Sequence, residues 1–421
     1  MGDNGTLTSL RSELDNPPPL FLERCIYRVP KRLSIGKERA YTPQVVSIGP
    51  IYHGKENLKP MEEHKKRYLR DYLRDARKDL DYYVNIIKVK EEELRSCYAE
   101  SIAFKSDEFV RIVLVDAVFI IKTLLSSFPS TCRNPHDHIC CRSWMMNDIR
   151  PDLLLLENQL PLVILEDLFN PVRKYFSHEQ ISIAGLAHVF FNRMISVFEE
   201  HLERSSPRAK HFVDLLSKFS AFPLRPKSET ERQLETSYLP SATKLHQAGV
   251  KFKARTSKNL LDIQFSKGIL EIPKLMVTDH TEILIRNLVA FEQCHFSDNR
   301  YITDYVVLLD NLVNTPEDVD LLVKSAIIDN QLGDSNQVAN LINKLGDGVA
   351  WSTDDYYFAE TSEELCKYYG KPWHKWKANL KQNYFHSPWA GLSVIAAVFI
   401  IILTFIQTVC SIISTVKGYS L

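Results

Sequence analysis

The sequence predicts a mainly α protein: a multi-helix cytosolic body carrying a small antiparallel β meander, with one C-terminal transmembrane helix. Three observations carry that prediction. Apolar residues recur at helical spacing through most of the chain, the stretch 250–273 instead alternates in β-forming residues between glycine and proline, and residues 389–413 run without a charge. Hydrophobic residues make up 45% of the 421 and charged residues 25%, the usage of a globular chain with a substantial core. The 52 Lys plus Arg are matched by 52 Asp plus Glu, so no overall field draws the chain to nucleic acid and no such partner is expected.

Residues 1–19 read as a flexible polar lead ending in Pro17, Pro18 and Pro19. They contain no continuous apolar stretch, so no secretory signal is expected; Gly2 and Thr6 meet the minimal, short pattern for N-myristoylation. Two short apolar stretches follow, at 25–30 and 41–54, the second broken by Pro43, Gly49 and Pro50, and both read as segments laid on a surface. Residues 59–89 form a highly charged helix with an apolar stripe at Met61, Tyr68 and Tyr72. Its Lys and Arg at 65–78 alternate with Asp71, Asp75 and Asp79 at helical spacing and read as a solvated, salt-laced face.

Residues 108–125 give a more apolar helix in which Asp116 is the unusual member. Pro151 and Pro161 divide 144–169 into short helices with corners at or before each proline. Helices are expected at 178–203 and 208–219, then a mobile linker over 222–240. Residues 244–248 close a helix, and the β insert follows at 250–273, punctuated by Gly268 and Pro273.

Helical period returns at 279–294, at 301–313 with Ile302, Val306, Leu309 and Val313 on one face, and at 316–326 behind a Thr315 cap and Pro316. Asp334 or Ser335 caps a further helix through Leu345, and 360–381 reads as one long helix kinked near Pro372. Residues 20–383 are thus one α-rich domain, 389–413 the transmembrane helix and 414–421 a short tail.

The 389–413 segment has Gln407 as its only strongly polar side chain. As a helix it is about 37 Å long against a hydrocarbon core of about 30 Å. Trp373, Trp376 and Trp389 suit the headgroup level; Lys371, Lys375, Lys377 and Lys381 precede the segment while Lys417 follows it, which places the body in the cytosol. The expectation is a tail anchor in the plasma membrane or the endoplasmic reticulum. The eight cysteines are scattered through a long chain and read as reduced thiols.

Chemistry-bearing residues are few. Cys132, His136, His138, Cys140 and Cys141 share one loop and offer imidazoles and thiolates, but their gaps are not those of a zinc framework; neither metal nor cofactor is predicted. Glu62, His64, Asp116, Glu157 and Gln159 are polar residues in or beside apolar helices, and a His and carboxylate pair could activate water or a thiol such as Cys25 or Cys294. The plainer use of Glu157 and Gln159 is structural, because Pro161 leaves an upstream carbonyl without its helical donor. Nucleotide-binding and kinase signatures are absent. A turn at Ile48, Gly49 and Pro50 lacks one of the amide donors that an anion nest would use.

Eight stretches in order carry a family resemblance: CIYRVP at 25–30, PQVVSIGPIYHG at 43–54, MEEHKKRYL at 61–69, DLLLLENQLPLVIL at 152–165, KLHQAGVKF at 244–252, LDIQFSKGILEIP at 261–273, NLVAFEQC at 287–294 and NYFHSPWA at 383–390. Together they resemble the plant-specific DUF247 family, also called UPF0481, over nearly the whole chain from Leu20. The resemblance implies a C-terminal transmembrane segment. Through members that look like determinants of grass self-incompatibility, it also implies recognition or signalling. Where the family often has D-G-C-F, this chain has Asp116, Ala117, Val118 and Phe119, so any role of that cysteine is absent. The expected function is a membrane-tethered protein-interaction or signalling protein with a bilayer and a protein partner; the alternative is a hydrolase or transferase working through Glu62, His64, Asp116 and Glu157.

Overall fold

The computed structural model describes residues 24–76, 78–127, 139, 142–173, 181–192, 209–220, 239–257, 259–295, 300–353, 355–371 and 388–418, with positions 11 and 14. After the short helical turns Lys31–Ser34, Glu38–Ala40 and Glu56–Leu58, its helices among the described residues are, in chain order, α1 Lys59–Ala76, α2 Leu80–Val89, α3 Glu91–Ser96, α4 Ser106–Leu125, α5 Ser143–Asp152, α6 Leu162–Arg173, α7 Ile183–Phe191 and α8 Phe212–Ser220. There follow α9 Ala242–Gln247, α10 Thr281–Cys294, α11 Tyr301–Leu312, α12 Pro316–Lys324, α13 Ser335–Leu345, α14 Ala359–Tyr369 and α15 Pro388–Gly418. The strands are β1 Lys251–Arg255, β2 Gln264–Ser266, β3 Ile269–Pro273, β4 Leu275–Val277 and β5 Ile328–Asn330. The chain is mainly α with small β sheets, and it divides into two compact units.

The first unit comprises 1–223, 278–303 and 347–350. At its centre stands α4, apolar nearly all round as a fully surrounded helix must be, with α1, α2, α6 and α7 packed against it. From α1 the stripe Met61, Lys65, Tyr68, Tyr72 and Ala76 is buried, and Tyr68 stacks on Phe119 at 5.6 Å between ring centroids. The single helix expected over 59–89 is two helices. Asp79 is extended, which resets the helical face so that Tyr83 and Ile87 point inward, Tyr83 meeting Tyr72 edge-on.

Pro151 lies in the last turn of α5, where its missing N–H removes one helical hydrogen bond and the helix ends a residue later. Between α5 and α6 the residues 153–161 are irregular, yet Leu153, Leu154, Leu155, Leu156 and Leu160 are buried. The two stretches expected to lie on a surface are inside as well. Cys25, Ile26 and Val29 of the first and Val46, Ile48 and Tyr52 of the second are buried, because their apolar side chains complete the same core. Irregular backbone in a core needs polar partners, and this requirement builds the site described below.

The second unit comprises 224–277, 304–346 and 351–421. Its β insert is not an antiparallel meander. Strand order is β1-β3-β2, with β1 parallel to β3 and β2 antiparallel to it. Lys267 and Gly268 both have positive φ and form the two-residue hairpin turn between β2 and β3, the conformation that suits strand twist. The apolar β3, ILEIP, takes the centre and buries Leu270, Ile272 and Pro273. Strand β1, KFKAR, takes an edge, where its cations meet Glu271 and Asp262. A second, parallel pair joins β4 to β5.

Helix α12 begins with a capping box formed by Thr315 and Asp318, and α13 begins with the Asp334 side chain accepting from the Asn336 amide. Helix α14 ends at Tyr369 with Gly370 as its C-cap, and positions 372–381 of the helix expected over 360–381 lie outside the described residues. Helix α15 carries the 18-residue stretch Ala396–Ile413, with mean hydropathy 2.5 and none of it buried. The 1–19 lead apart from positions 11 and 14, the loop bearing Cys132, His136, His138, Cys140 and Cys141, most of the 222–240 linker and both ends of the 178–203 helix lie outside the described residues.

Candidate functional site

The polar residues buried in the first unit form one lattice that ties the irregular segments 25–29, 44–49 and 153–159 to the helices. It starts at the end of α5. Asp152, buried there, accepts the backbone amides of Gln44 at 2.9 Å, Val45 at 2.7 Å and Val46 at 2.8 Å. Burial pushes its carboxyl up to about 6, and those amides, which favour the ionised form, hold it from rising further.

Asn158 continues the row, accepting the Ile48 amide at 2.7 Å while its own amide donates to the carbonyls of Val46 and Asp152. The next amide, Gly49, donates to Asp116 at 2.8 Å. Gly49 has φ +71°, and an added Cβ would stand 2.8 Å from the Gln159 carbonyl oxygen and 2.9 Å from the Tyr98 hydroxyl, so only glycine fits. The amides of Ile48 and Gly49 are thus turned inward to protein acceptors, not outward to an anion.

Asp116 sits in the otherwise apolar α4 and is balanced by Lys65 of α1, both buried, with Nζ to Oδ1 at 2.6 Å. Burial pushes the Asp116 carboxyl above its usual range, and the Lys65 ammonium and the Gly49 amide pull against that. Lys65 also donates to the Ser47 carbonyl at 2.5 Å and to Glu62, one turn back, at 2.6 Å. All three ammonium donors therefore have acceptors.

Glu157 holds the first segment. One carboxylate oxygen accepts the Val29 amide at 2.7 Å; the other accepts the Tyr52 hydroxyl at 2.7 Å and the Arg28 guanidinium at 2.9 Å. Gln159 donates to the carbonyls of Leu153 and Leu155 and accepts the Phe212 amide, while its own carbonyl takes the Tyr98 hydroxyl. Asn287 of α10 accepts the Leu156 amide and donates to the carbonyls of Ala40 and Ile283.

Buried His211 closes the row. Its Nε2 is 2.9 Å from the Cys25 carbonyl and its Nδ1 accepts the Asp214 amide at 3.3 Å, the pattern of a neutral ring protonated on Nε2. Burial pulls its pKa down to about 4.

Of the residues singled out for acid–base chemistry, Glu62 and Asp116 are brought together, but on Lys65. Glu157 belongs to a separate set of partners with Val29, Tyr52 and Arg28. His64 precedes Lys65 on α1 and is only partly buried. Gln159 is buried with every polar atom of its side chain bonded. None of Glu62, His64, Asp116 or Glu157 lines the open groove of about 750 Å³ between α2 and α6, whose walls include Tyr82, Ile86, Val89 and Pro171.

Among the described residues no group of three or more His, Cys, Asp or Glu is placed to hold a metal. The five residues of the Cys and His loop lie outside them. Sequence reasoning passed over Lys65 by assigning it to the solvated face. Its position in the stripe Met61, Lys65, Tyr68, Tyr72, set against a lone acid in an apolar helix, was the available signal. Asp152, the last residue of α5, and Asn287, one polar residue midway along α10, carried none.

A mainly α body with a small sheet, a buried polar lattice clamping irregular segments and one long apolar helix define the class of protein. The model of DUF247, described as a plant protein of unknown function, matches residues 26–403, and the chain belongs to that family. It is similar to the UPF0481 protein At3g47200 of Arabidopsis thaliana, 30% identical over 436 positions that cover 94% of this chain and 89% of the relative. The putative UPF0481 protein At3g02645 of the same plant is 26% identical over 497 positions, covering 95% and 92% of the two chains. No solved structure matches. The lattice also explains which residues carry the family resemblance in the first unit: Val29, Ser47, Gly49, Lys65, Glu157, Asn158, Gln159 and Asn287 all lie in the stretches that mark it.

Proposed function

We propose that the protein is a single-pass membrane protein whose helical body faces the cytosol and works by binding a protein partner, in recognition or signalling. The observation that carries the reading is α15. Its 18-residue stretch has mean hydropathy 2.5 and none of it buried, with Phe399 65% and Phe405 70% exposed. Leaving a large apolar side chain in water costs on the order of 1.5–3 kcal/mol each, so a helix of this composition is at home in a bilayer core. The lysines at 371, 375, 377 and 381 against Lys417 favour a cytosolic body.

A catalytic role for the buried acids has less support. Glu62, Asp116 and Glu157 are engaged by an ammonium, a guanidinium, a hydroxyl and backbone amides, which suits an architectural duty. The test is extraction of membranes from cells making the full chain and a form truncated after Pro388. The full chain should stay in the pellet through alkaline carbonate while the truncated one appears in the soluble fraction. A truncated protein that still resists carbonate would contradict α15 as the anchor. Proximity labelling from the cytosolic body should then return a recurrent protein partner.

A further inference from the structure

Cys25 and Cys97 are far apart in sequence and side by side in the fold. Ile26 and Tyr98 form a parallel β-bridge, in which the amides of Cys25 and Ile26 both donate to the Cys97 carbonyl, at 2.9 and 3.0 Å, and the Ala99 amide donates to the Ile26 carbonyl. That register sets Cys25 opposite Cys97. Paired strands stand about 4.8 Å apart, inside the Cα separation of roughly 4.4–6.8 Å that a disulfide accepts.

The two side chains pack in one cluster with Ile26 and Tyr98, and the thiols share a hydrogen bond. Their surroundings differ. Cys25 is fully buried, whereas Cys97 is half-buried at the end of α3, its Sγ donating to the Glu93 carbonyl at 3.4 Å. The bond to Cys97 and burial both push the Cys25 thiol up, so the half-buried Cys97 is the one of the two that meets peroxide first.

We infer that Cys25 and Cys97 are a peroxide-oxidisable pair whose disulfide locks the 25–29 segment onto the helical body. The thiolate of Cys97 attacks one oxygen of hydrogen peroxide; the O–O bond breaks and hydroxide leaves, taking up the proton that Cys97 gave up to form water. The sulfur is then a sulfenic acid. Cys25 Sγ attacks the Cys97 sulfur, the S–O bond breaks, and the departing hydroxide takes the Cys25 proton as a second water. Two thiols lose two electrons, and one peroxide gains them.

The locked segment carries three contacts of the lattice: the Cys25 carbonyl on His211, and Val29 and Arg28 on Glu157. In the thiol form hydrogen bonds and the packing of Cys25, Ile26 and Val29 hold it, with no covalent link. In the disulfide form a covalent link closes the long loop between positions 25 and 97, which stabilises the fold chiefly by restricting the unfolded chain.

The experiment treats the full chain, in membranes or detergent, with hydrogen peroxide, blocks remaining thiols under denaturing conditions and maps the peptides by mass. The expected product is a peptide pair joined through Cys25 and Cys97, two hydrogens lighter than the separate thiols. It should come with a rise in Tm of about 5–10 °C and at least tenfold slower amide exchange at 25–29. Cys97→Ser, at the half-exposed position, should fold, yield no such pair and show no rise in Tm on peroxide. Cys25→Ala should leave Cys97 trapped by a sulfenic acid reagent. The inference is overturned if Cys97 is carried to sulfinic acid, or paired elsewhere, while Cys25 stays free in the wild type, or if the linked protein melts no higher than the reduced one.

Discussion

Lys65, Asp116 and Glu157 show how single residues are put to use in this protein. A lysine with no exposed surface is costly unless every donor is met, and here Asp116, Glu62 and the Ser47 carbonyl meet them. Glu157 and Gln159 do the same for backbone that belongs to neither helix nor strand. Glu157→Ala leaves the Val29 amide and the Tyr52 hydroxyl without this acceptor and the Arg28 guanidinium with Glu100 alone. The expected cost is about 1–3 kcal/mol, toward the upper end because a charge is involved. Gln159→Ala strands the carbonyls of Leu153 and Leu155 and the Phe212 amide and should cost a similar amount. Melting temperature and membrane-inserted abundance of both variants, beside wild type, check this; a Glu157→Ala protein that melts with wild type yet loses an identified activity would contradict the architectural role.

His211 makes a prediction with a sign. Its pKa, lowered by burial to about 4, lies below the ordinary value of 6.5. Stability from the neutral ring is therefore complete above the ordinary value and drains as pH falls through the window toward 4, by on the order of 3 kcal/mol in all. Between pH 7 and pH 5 the wild type should lose more Tm than His211→Gln, which starts lower and stays flatter. Parallel curves for the two proteins would remove His211 from the acid response.

At the scale of elements, the sequence and the structure agree where one periodicity governs a long segment, as in α4, α10, α12 and α13. They part where packing chooses among outcomes that periodicity allows. The β insert was visible in KFKAR and ILEIP, but strand order depends on which strand is buried deepest, and three short strands do not announce it. The break between α1 and α2 was likewise hidden, because the charge pattern continues across it while the buried face changes. The segments at 25–30 and 41–54 were legible as irregular, and their burial was not, since it depends on distant partners such as Asp152 and Asn287.

Asp318 tests the element scale directly. It is buried at the start of α12 and accepts the amides of Thr243, Asn314 and Thr315 and the Thr243 hydroxyl, joining α9 to the α12 cap. Asp318→Ala should cost about 2–4 kcal/mol, more than an isolated cap, and speed amide exchange at 243, 314 and 315 together. A loss confined to Thr315 would mean that the α9 contact is incidental.

At the scale of the whole molecule, two features rest on different physics. A buried polar lattice fixes the irregular segments that carry the family resemblance, and a long uncharged helix leaves its apolar 18-residue stretch Ala396–Ile413 unburied. Both were partly readable from sequence: the uncharged 389–413 stretch plainly, and the lattice through Asp116, Glu157 and Gln159, with Lys65 missing. The central claim, a cytosolic body held by one membrane-crossing helix, is met most directly by glycosylation mapping in membranes derived from the endoplasmic reticulum. One acceptor site is appended after Leu421 and another placed, in a separate protein, within 226–240. The account predicts that the first is glycosylated and the second stays bare; glycosylation within 226–240 with a bare site after Leu421 would contradict it.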